Sequence, residues 1–142
     1  MQLSFFRTAF LAPTALLCSV SFGAADGDDA KRAAICAEAE ERYTEMTGAP
    51  SEEAEGVTVV KMYKYSFCPA EIAVPVGTTV RWVNVDKRTS HSVIVPGEPE
   101  SDRAFPEEVI EFTFLTEGDQ KYLCGPHWET QEMIGMVTVT SK

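Results

Sequence analysis

The chain has two histidines and four cysteines, and the types and spacing of three of these residues could support shared chemistry. Cys124-Gly125-Pro126-His127 stands near the C-terminus, followed by Trp128-Glu129-Thr130-Gln131-Glu132-Met133. The other histidine, His91, lies upstream in Thr89-Ser90-His91-Ser92-Val93. A thiolate, two imidazoles and a weak thioether are the set that favours copper in a trigonal site with one long axial bond. A strand ending at Cys124 and a loop turning back at Pro126 present Cys124, His127 and Met133 to one point. His91, starting a neighbouring strand, closes the site from the other side. On these residues alone other readings stay open. Zinc accepts one cysteine and two histidines, although a structural zinc site takes four firm ligands and rarely a methionine. A thiolate beside an imidazole is also a nucleophile. A Cys-x-x-His pair arises by chance, too, as a packed cysteine and a surface histidine.

The elements that must position these residues are short and strand-like. Residues 57–65, 71–76, 79–85, 91–95, 109–115, 120–124 and 136–140 are apolar or alternating runs, with Val76-Gly77-Thr78 and Glu117-Gly118-Asp119 as tight turns. So many strands with almost no room for helix predict an antiparallel sandwich or small barrel. Ahead of them, residues 28–47 are rich in Ala and Glu, with Arg42 spaced to pair with Glu38 and Glu45. That composition predicts a helix, with Ala34, Ile35, Ala37 and Tyr43 as a weak apolar stripe. Gly48-Ala49-Pro50 stops it, and residues 51–56 (SEEAEG) read as a solvated linker. Trp82, inside a strand pattern, is expected in the core.

The N-terminus carries Arg7, an apolar run over residues 9–20 and the small residues Gly23, Ala24 and Ala25. This is the pattern of a secretory leader cleaved after Ala25, and the run is too short and broken to span a bilayer comfortably. Leu17 is too bulky to make Cys18 a lipid-anchored cysteine. The full chain has 12 Lys and Arg against 22 Asp and Glu, a net charge of -10. Loss of a leader charged only at Arg7 makes the remainder one unit more negative. Such a balance argues against nucleic acid and anionic membranes as partners and fits either plain solubility or steering towards a basic partner. Export leaves an odd number of cysteines in an oxidising compartment. Pairing Cys36 with Cys68 and leaving Cys124 for metal accounts for them, the alternative being that both stay free.

Four stretches, in order, resemble the cupredoxins, the small blue-copper proteins that include plastocyanin, pseudoazurin and amicyanin. Phe67-Cys68-Pro69-Ala70-Glu71-Ile72 with Val74-Pro75-Val76-Gly77 resembles the family's F-x-P-x-x-I-x-V-x-x-G stretch. Val80-Arg81-Trp82-Val83-Asn84-Val85-Asp86, then His91-Ser92-Val93, resembles the approach to its first histidine. Residues 118–122 with Leu123-Cys124-Gly125-Pro126-His127 resemble its G-x-Y-x-Y-x-C-x-P-H segment, and Met133-Ile134-Gly135-Met136-Val137-Thr138-Val139 its closing strand. The resemblance implies an all-β, cupredoxin-like Greek-key sandwich or barrel over residues 57–142. It follows a leader over residues 1–25 and a short helical extension with linker over residues 26–56. It assigns one copper ion to His91, Cys124 and His127 as equatorial ligands and Met133 as the axial one, with Met136 the competing axial candidate. Five residues separate His127 from Met133, where plastocyanin-like sites usually have four. Ser92 is either a hydrogen-bonding neighbour of the first ligand or a solvent-facing strand serine.

The function this implies is transfer of single electrons by a monomeric protein, periplasmic or otherwise exported, that is not an enzyme. Electrons would leave through His127, and the partner would be a redox protein such as a cytochrome or oxidoreductase. Pro126 and Trp128 flank that histidine as a contact patch, or Trp128 simply packs the loop. The alternative is a copper-tolerance cupredoxin that binds or oxidises excess Cu(I), a group that residues 99–106 resemble weakly. Such a protein is expected to carry surplus His or Met clusters, whereas both histidines are committed here and Met46 and Met62 are isolated.

Overall fold

The computed structural model describes residues 27–142, so the expected leader lies outside the described residues. Helix α1 runs from Gly27–Thr47 with Asp28 and Asp29 in its first turn, where carboxylates oppose the helix dipole. Its stop is Gly48, at φ 86, whose N–H donates to the Thr44 carbonyl. Strands β1 (Thr58–Tyr63), β2 (Ser66–Cys68), β3 (Glu71–Pro75), β4 (Thr79–Asn84), β5 (Val109–Thr113), β6 (Gly118–Leu123) and β7 (Ile134–Thr140) follow, with a short helix α2 (Trp128–Gln131) between the last two. They form two sheets, ordered β2-β1-β4-β5 and β3-β7-β6, packed face to face as the expected sandwich. Among the described residues no helix is long and apolar enough to cross a membrane.

The expectation of a wholly antiparallel arrangement is corrected. β1 pairs with β4, and β3 with β7, in parallel. Neither pair is joined by a tight turn. The chain goes through β2 and β3, and so into the other sheet, before β4 returns beside β1, and a crossover of that kind can bring a strand back in the same direction. The expected strand over residues 57–65 ends at Tyr63. Lys64 and Tyr65 then form a two-residue turn with φ 45 and 59, the mirror-image geometry that suits a hairpin, and lead into β2. No Gly or Asn marks that turn, so β2 was not expected. Residues 91–95 are not a strand either. His91 bridges Ala104 and Ile94 bridges Leu123, so this segment changes partner within four residues, from the loop at Ala104 to β6.

Alternation along β1 and β4 gives the first sheet two buried faces. Val60, Met62, Val80 and Trp82 point into the main core with Phe67, Val74, Phe114, Tyr122, Val137 and Val139. Trp82 is fully buried there, as expected. Val59, Tyr63, Val83 and Val85 form a second cluster with Ala39 and Tyr43 of α1 and with Cys68. The helix is therefore a third layer. Its stripe is Ile35, Cys36, Ala39, Tyr43 and Met46, on i, i+4 spacing; Ala34 and Ala37, expected in it, are exposed. The Cys36–Cys68 disulfide is present and fastens this layer to β2. The expected linker is not wholly solvated: Ser51–Glu53 make a 3-10 turn. Glu40 accepts from the Ser51 N–H at 2.7 Å and from its hydroxyl at 2.6 Å, and it pairs with the buried Lys61 ammonium at 2.7 Å. A lysine so buried needs such a partner.

Candidate metal centre

Three of the expected ligands converge at the end of the sandwich where β6 runs out. Cys124 follows that strand and donates its N–H to the Met133 carbonyl at 3.0 Å. The chain then folds back on itself. The N–H groups of His127 and Trp128 both donate to the Cys124 carbonyl, at 3.0 and 2.9 Å. The five residues between His127 and Met133 form one turn of helix, closed by Glu132 in the left-handed conformation at φ 51. The spacing is thus absorbed within a compact loop. His91 arrives from the bridging segment, its N–H and carbonyl paired with Ala104.

Cys124 Sγ lies 3.6 Å from His91 Nδ1 and 3.3 Å from His127 Nδ1, and the three donor atoms fall within 4.8 Å of one another. Donors held about 2.0–2.3 Å from an ion and near 120° apart are themselves about 3.6 Å apart, and both sulfur-to-nitrogen distances fit that spacing. His91 and Cys124 are fully buried, and Met133 is 1 % exposed. His127 alone of the four reaches towards solvent. Met133 is the residue whose backbone closes the loop on both Cys124 and His127. Met136 lies on the opposite face of β7 from the buried Gly135, Val137 and Val139, paired across the sheet with Lys121 and Glu71.

The surroundings fix the donors' orientation. His91 Nε2 lies 2.7 Å from Asp86 Oδ2, so the ring's N–H is directed to the carboxylate and the Nδ1 lone pair to the cavity. Asp86 is held by its own N–H on Asn84 Oδ1, and Asn84 in turn donates to the Thr89 and Ala104 carbonyls. Ser92 is buried, not solvent-facing. Its hydroxyl donates to Glu100 Oε1 at 2.6 Å and accepts the Gly125 N–H at 3.1 Å. A Cβ at Gly125 would stand 2.6 Å from Glu100 Cδ and 2.8 Å from Ser92 Oγ, so a larger residue there would displace the Glu100 carboxylate from Ser92. Burial pushes the Cys124 thiol up, with hydrogen bonds near Ser92 and His127 opposing it. Burial first, then the neighbouring His91 and Arg103, pulls His127 below the usual imidazole value. A protonated thiol and a neutral imidazole describe the metal-free site, and metal entry has to displace the thiol proton.

The sequence reading had no role for Asp86, Glu100, Arg103 or Tyr65. Asp86 closes the quoted motif before His91 and carries the one usable signal, an acid a few residues from a candidate ligand. Tyr65 packs edge-on against His127, ring centroids 4.9 Å apart, and comes from a hairpin far away in sequence. Trp128 begins α2 and is 38 % exposed, which puts part of its ring on the surface beside His127.

Comparison with known proteins agrees with this geometry. Residues 54–140 match the family of copper binding proteins described as plastocyanin/azurin. Halocyanin of Natronomonas pharaonis is 40% identical over 82 residues, 53% of this chain and 48% of that protein. The chain therefore spans about half the length of that curated relative. A reduced Cu(I) form of an amicyanin variant superposes with TM-score 0.54 at 29% identity, covering 63% of this chain and 87% of amicyanin. An oxidized amicyanin variant gives 0.54 at 32% identity over the same shares. With residues 54–140 matched by that family and its fold shared with amicyanin, the chain belongs to the plastocyanin/azurin family of copper-binding proteins, the cupredoxins.

Proposed function

We propose that His91, Cys124, His127 and Met133 would hold the copper, and that the protein carries single electrons between redox partners. The carrying observation is that Cys124 Sγ lies 3.6 and 3.3 Å from the two histidine nitrogens, all three donors within 4.8 Å of one another, in a pocket where His127 alone of the four residues approaches the surface. Bound there, copper supplies a Cu(I)/Cu(II) couple. The residues do the rest. Asp86 and the Ala104 bridge hold His91, the loop's own hydrogen bonds hold Cys124 and His127, and burial of Cys124 keeps water from the thiolate. With four residues committed to it, the copper would have no strong open position for a substrate, which supports a carrier and not an enzyme. Electrons then leave through His127, where Trp128 supplies apolar contact.

The partner that fits is a redox protein with a basic face, such as a cytochrome, because the chain carries -10 overall and Glu129 and Glu132 are exposed beside the loop. The proposal includes export, with residues 1–25 as a leader, residues 26–56 as an extension and residues 57–142 as the copper domain of a monomer. The disulfide supports that compartment. The oxidised protein is expected to show an intense visible band from thiolate-to-copper charge transfer, and Cys124→Ser to abolish it; a band that survives refutes the ligand set. Added salt is expected to slow electron exchange with a basic cytochrome by screening, and Trp128→Glu, its colour intact, to slow it because a charge would then have to be desolvated at the apolar contact. Rates indifferent to both, together with fast oxidation of free Cu(I), would mark a copper handler instead.

A further inference from the structure

The tip of the β1–β2 hairpin contributes no donor to the metal centre, yet it touches what holds each histidine. Tyr65 lays its ring edge-on against His127, at 4.9 Å and 65°. The neighbouring Lys64 donates its backbone N–H to Asp86 Oδ2 at 3.2 Å, and the same oxygen lies 2.7 Å from His91 Nε2. Two consecutive residues therefore reach one imidazole by contact and the other through a single carboxylate. Apart from the approach of Cys124, the His127 ring has no hydrogen-bond partner among the described residues. The contact with Tyr65 is what limits its orientation from that side.

The backbone adopts this arrangement against its own preference. Lys64 and Tyr65 have φ of 45 and 59, a region that glycine and asparagine enter readily and that bulky side chains resist. Core burial does not explain a tyrosine there, because Tyr65 is 41% exposed. What holds the turn is the helical layer. Glu38 of α1 accepts from the Tyr63 hydroxyl at 2.5 Å and pairs with Lys64 Nζ at 2.6 Å. Cys36, half a turn earlier, is bonded to Cys68 on the hairpin's other strand. The ion pair is exposed and weak by itself; the bridge and the apolar cluster beneath it carry the anchoring.

We propose that the Lys64–Tyr65 turn is a positioning clamp for the two imidazoles of the copper centre, anchored by α1 and the Cys36–Cys68 bridge. It rests on the ligand assignment above. Tyr65 acts on the metal only through His127, by reducing the orientations that imidazole can take, and so the frequency with which its bond to copper opens. A carrier gains from this because its ligands must keep their places in both oxidation states.

The test compares Tyr65→Gly with Tyr65→Phe. Glycine is at home at φ 59, so the first variant deletes the ring while relaxing the turn, and the metal-free protein should lose no thermal stability. Tyr65→Phe keeps the ring. In the Cu(I) protein, Tyr65→Gly is expected to surrender copper to a Cu(I)-selective chelator about three- to tenfold faster, with a shifted reduction potential and exchange-broadened His127 ring resonances. Tyr65→Phe is expected to match wild type in all three. A glycine variant that matches wild type overturns the clamp, as does a phenylalanine variant impaired as badly as glycine. If wild type binds no copper, the ligand assignment fails separately. The His127 line widths of the metal-free protein then decide the clamp, broadening in Tyr65→Gly supporting it and unchanged widths overturning it.

Discussion

Alanine at position 135 is expected to strain the centre of the molecule. A Cβ on Gly135 would stand 2.6 Å from Tyr122 Cε1 and closer still to Cζ and the hydroxyl oxygen. The tyrosine has little freedom to yield. It is fully buried, with Phe67 edge-on at 4.6 Å and Trp82 edge-on at 5.3 Å, so moving its ring moves two more. The other way out is a shift of β7, in which Gly135 faces Tyr122 and Ile134 faces Leu123. The next bond along is the one from the Cys124 N–H to the Met133 carbonyl, so that shift would propagate to the metal loop. Overpacking of this kind costs about 1–3 kcal/mol. For a domain of this size that lowers the melting temperature by roughly 4–12 °C, measured on metal-free protein by thermal and urea unfolding. The clash can be isolated with Tyr122→Leu, which opens the space the new methyl needs. Gly135→Ala should cost much less in that background, with a coupling of about 1 kcal/mol or more. Equal cost in both backgrounds, or no cost in either, refutes the reasoning.

Three further outcomes follow from other parts of the fold. Asp86→Asn removes the charge that orients His91 and is expected to weaken copper binding about 10- to 100-fold in a chelator competition, with the fold retained by circular dichroism. Replacing both Cys36 and Cys68 by serine frees a loop of sequence separation 32 and should remove about 3.5 kcal/mol of stability on the chain-entropy account, read from urea midpoints under non-reducing conditions. The metal-free protein should also weaken in mild acid. His127 is held below its ordinary value of 6.5, so the unfolded chain takes up the proton first. Stability present above about pH 6.5 is lost as the pH falls through the folded value. His127→Gln should flatten the urea midpoint over that window.

The metal loop was legible because its parts are local. Cys124, His127 and Met133 lie on one turn-back of the chain, and their spacing is a property of that loop. His91 could be placed only by motif and by being the other histidine, since its position depends on bridges to Ala104 and Leu123 that no local pattern encodes. The same limit hid Asp86 and Glu100, whose partners are set by how loops cross. The hairpin at Lys64 and Tyr65 was missed for a different reason. A turn with positive φ at two side-chain-bearing residues contradicts local preference, and its cause is tertiary, the grip of Glu38 and Cys36 from the helix.

That grip also explains why the extension is more than an appendage. A sheet in a two-layer sandwich needs one apolar face, and its outer face is ordinarily polar. Here β1, β4 and the residue that follows β4 place Val59, Tyr63, Val83 and Val85 outward as well, and those side chains would be wet without α1 over them. The helix has a weak stripe, and a helix like that would be marginal alone in water. It is stabilised by this second cluster and by the disulfide that lies within it. Removing α1 would expose the cluster and release the hairpin at once. Stability of the sheet and order at the His127 edge should therefore fall together. A truncated protein starting at Ser51 that kept wild-type urea stability and sharp His127 ring resonances would show the two to be independent.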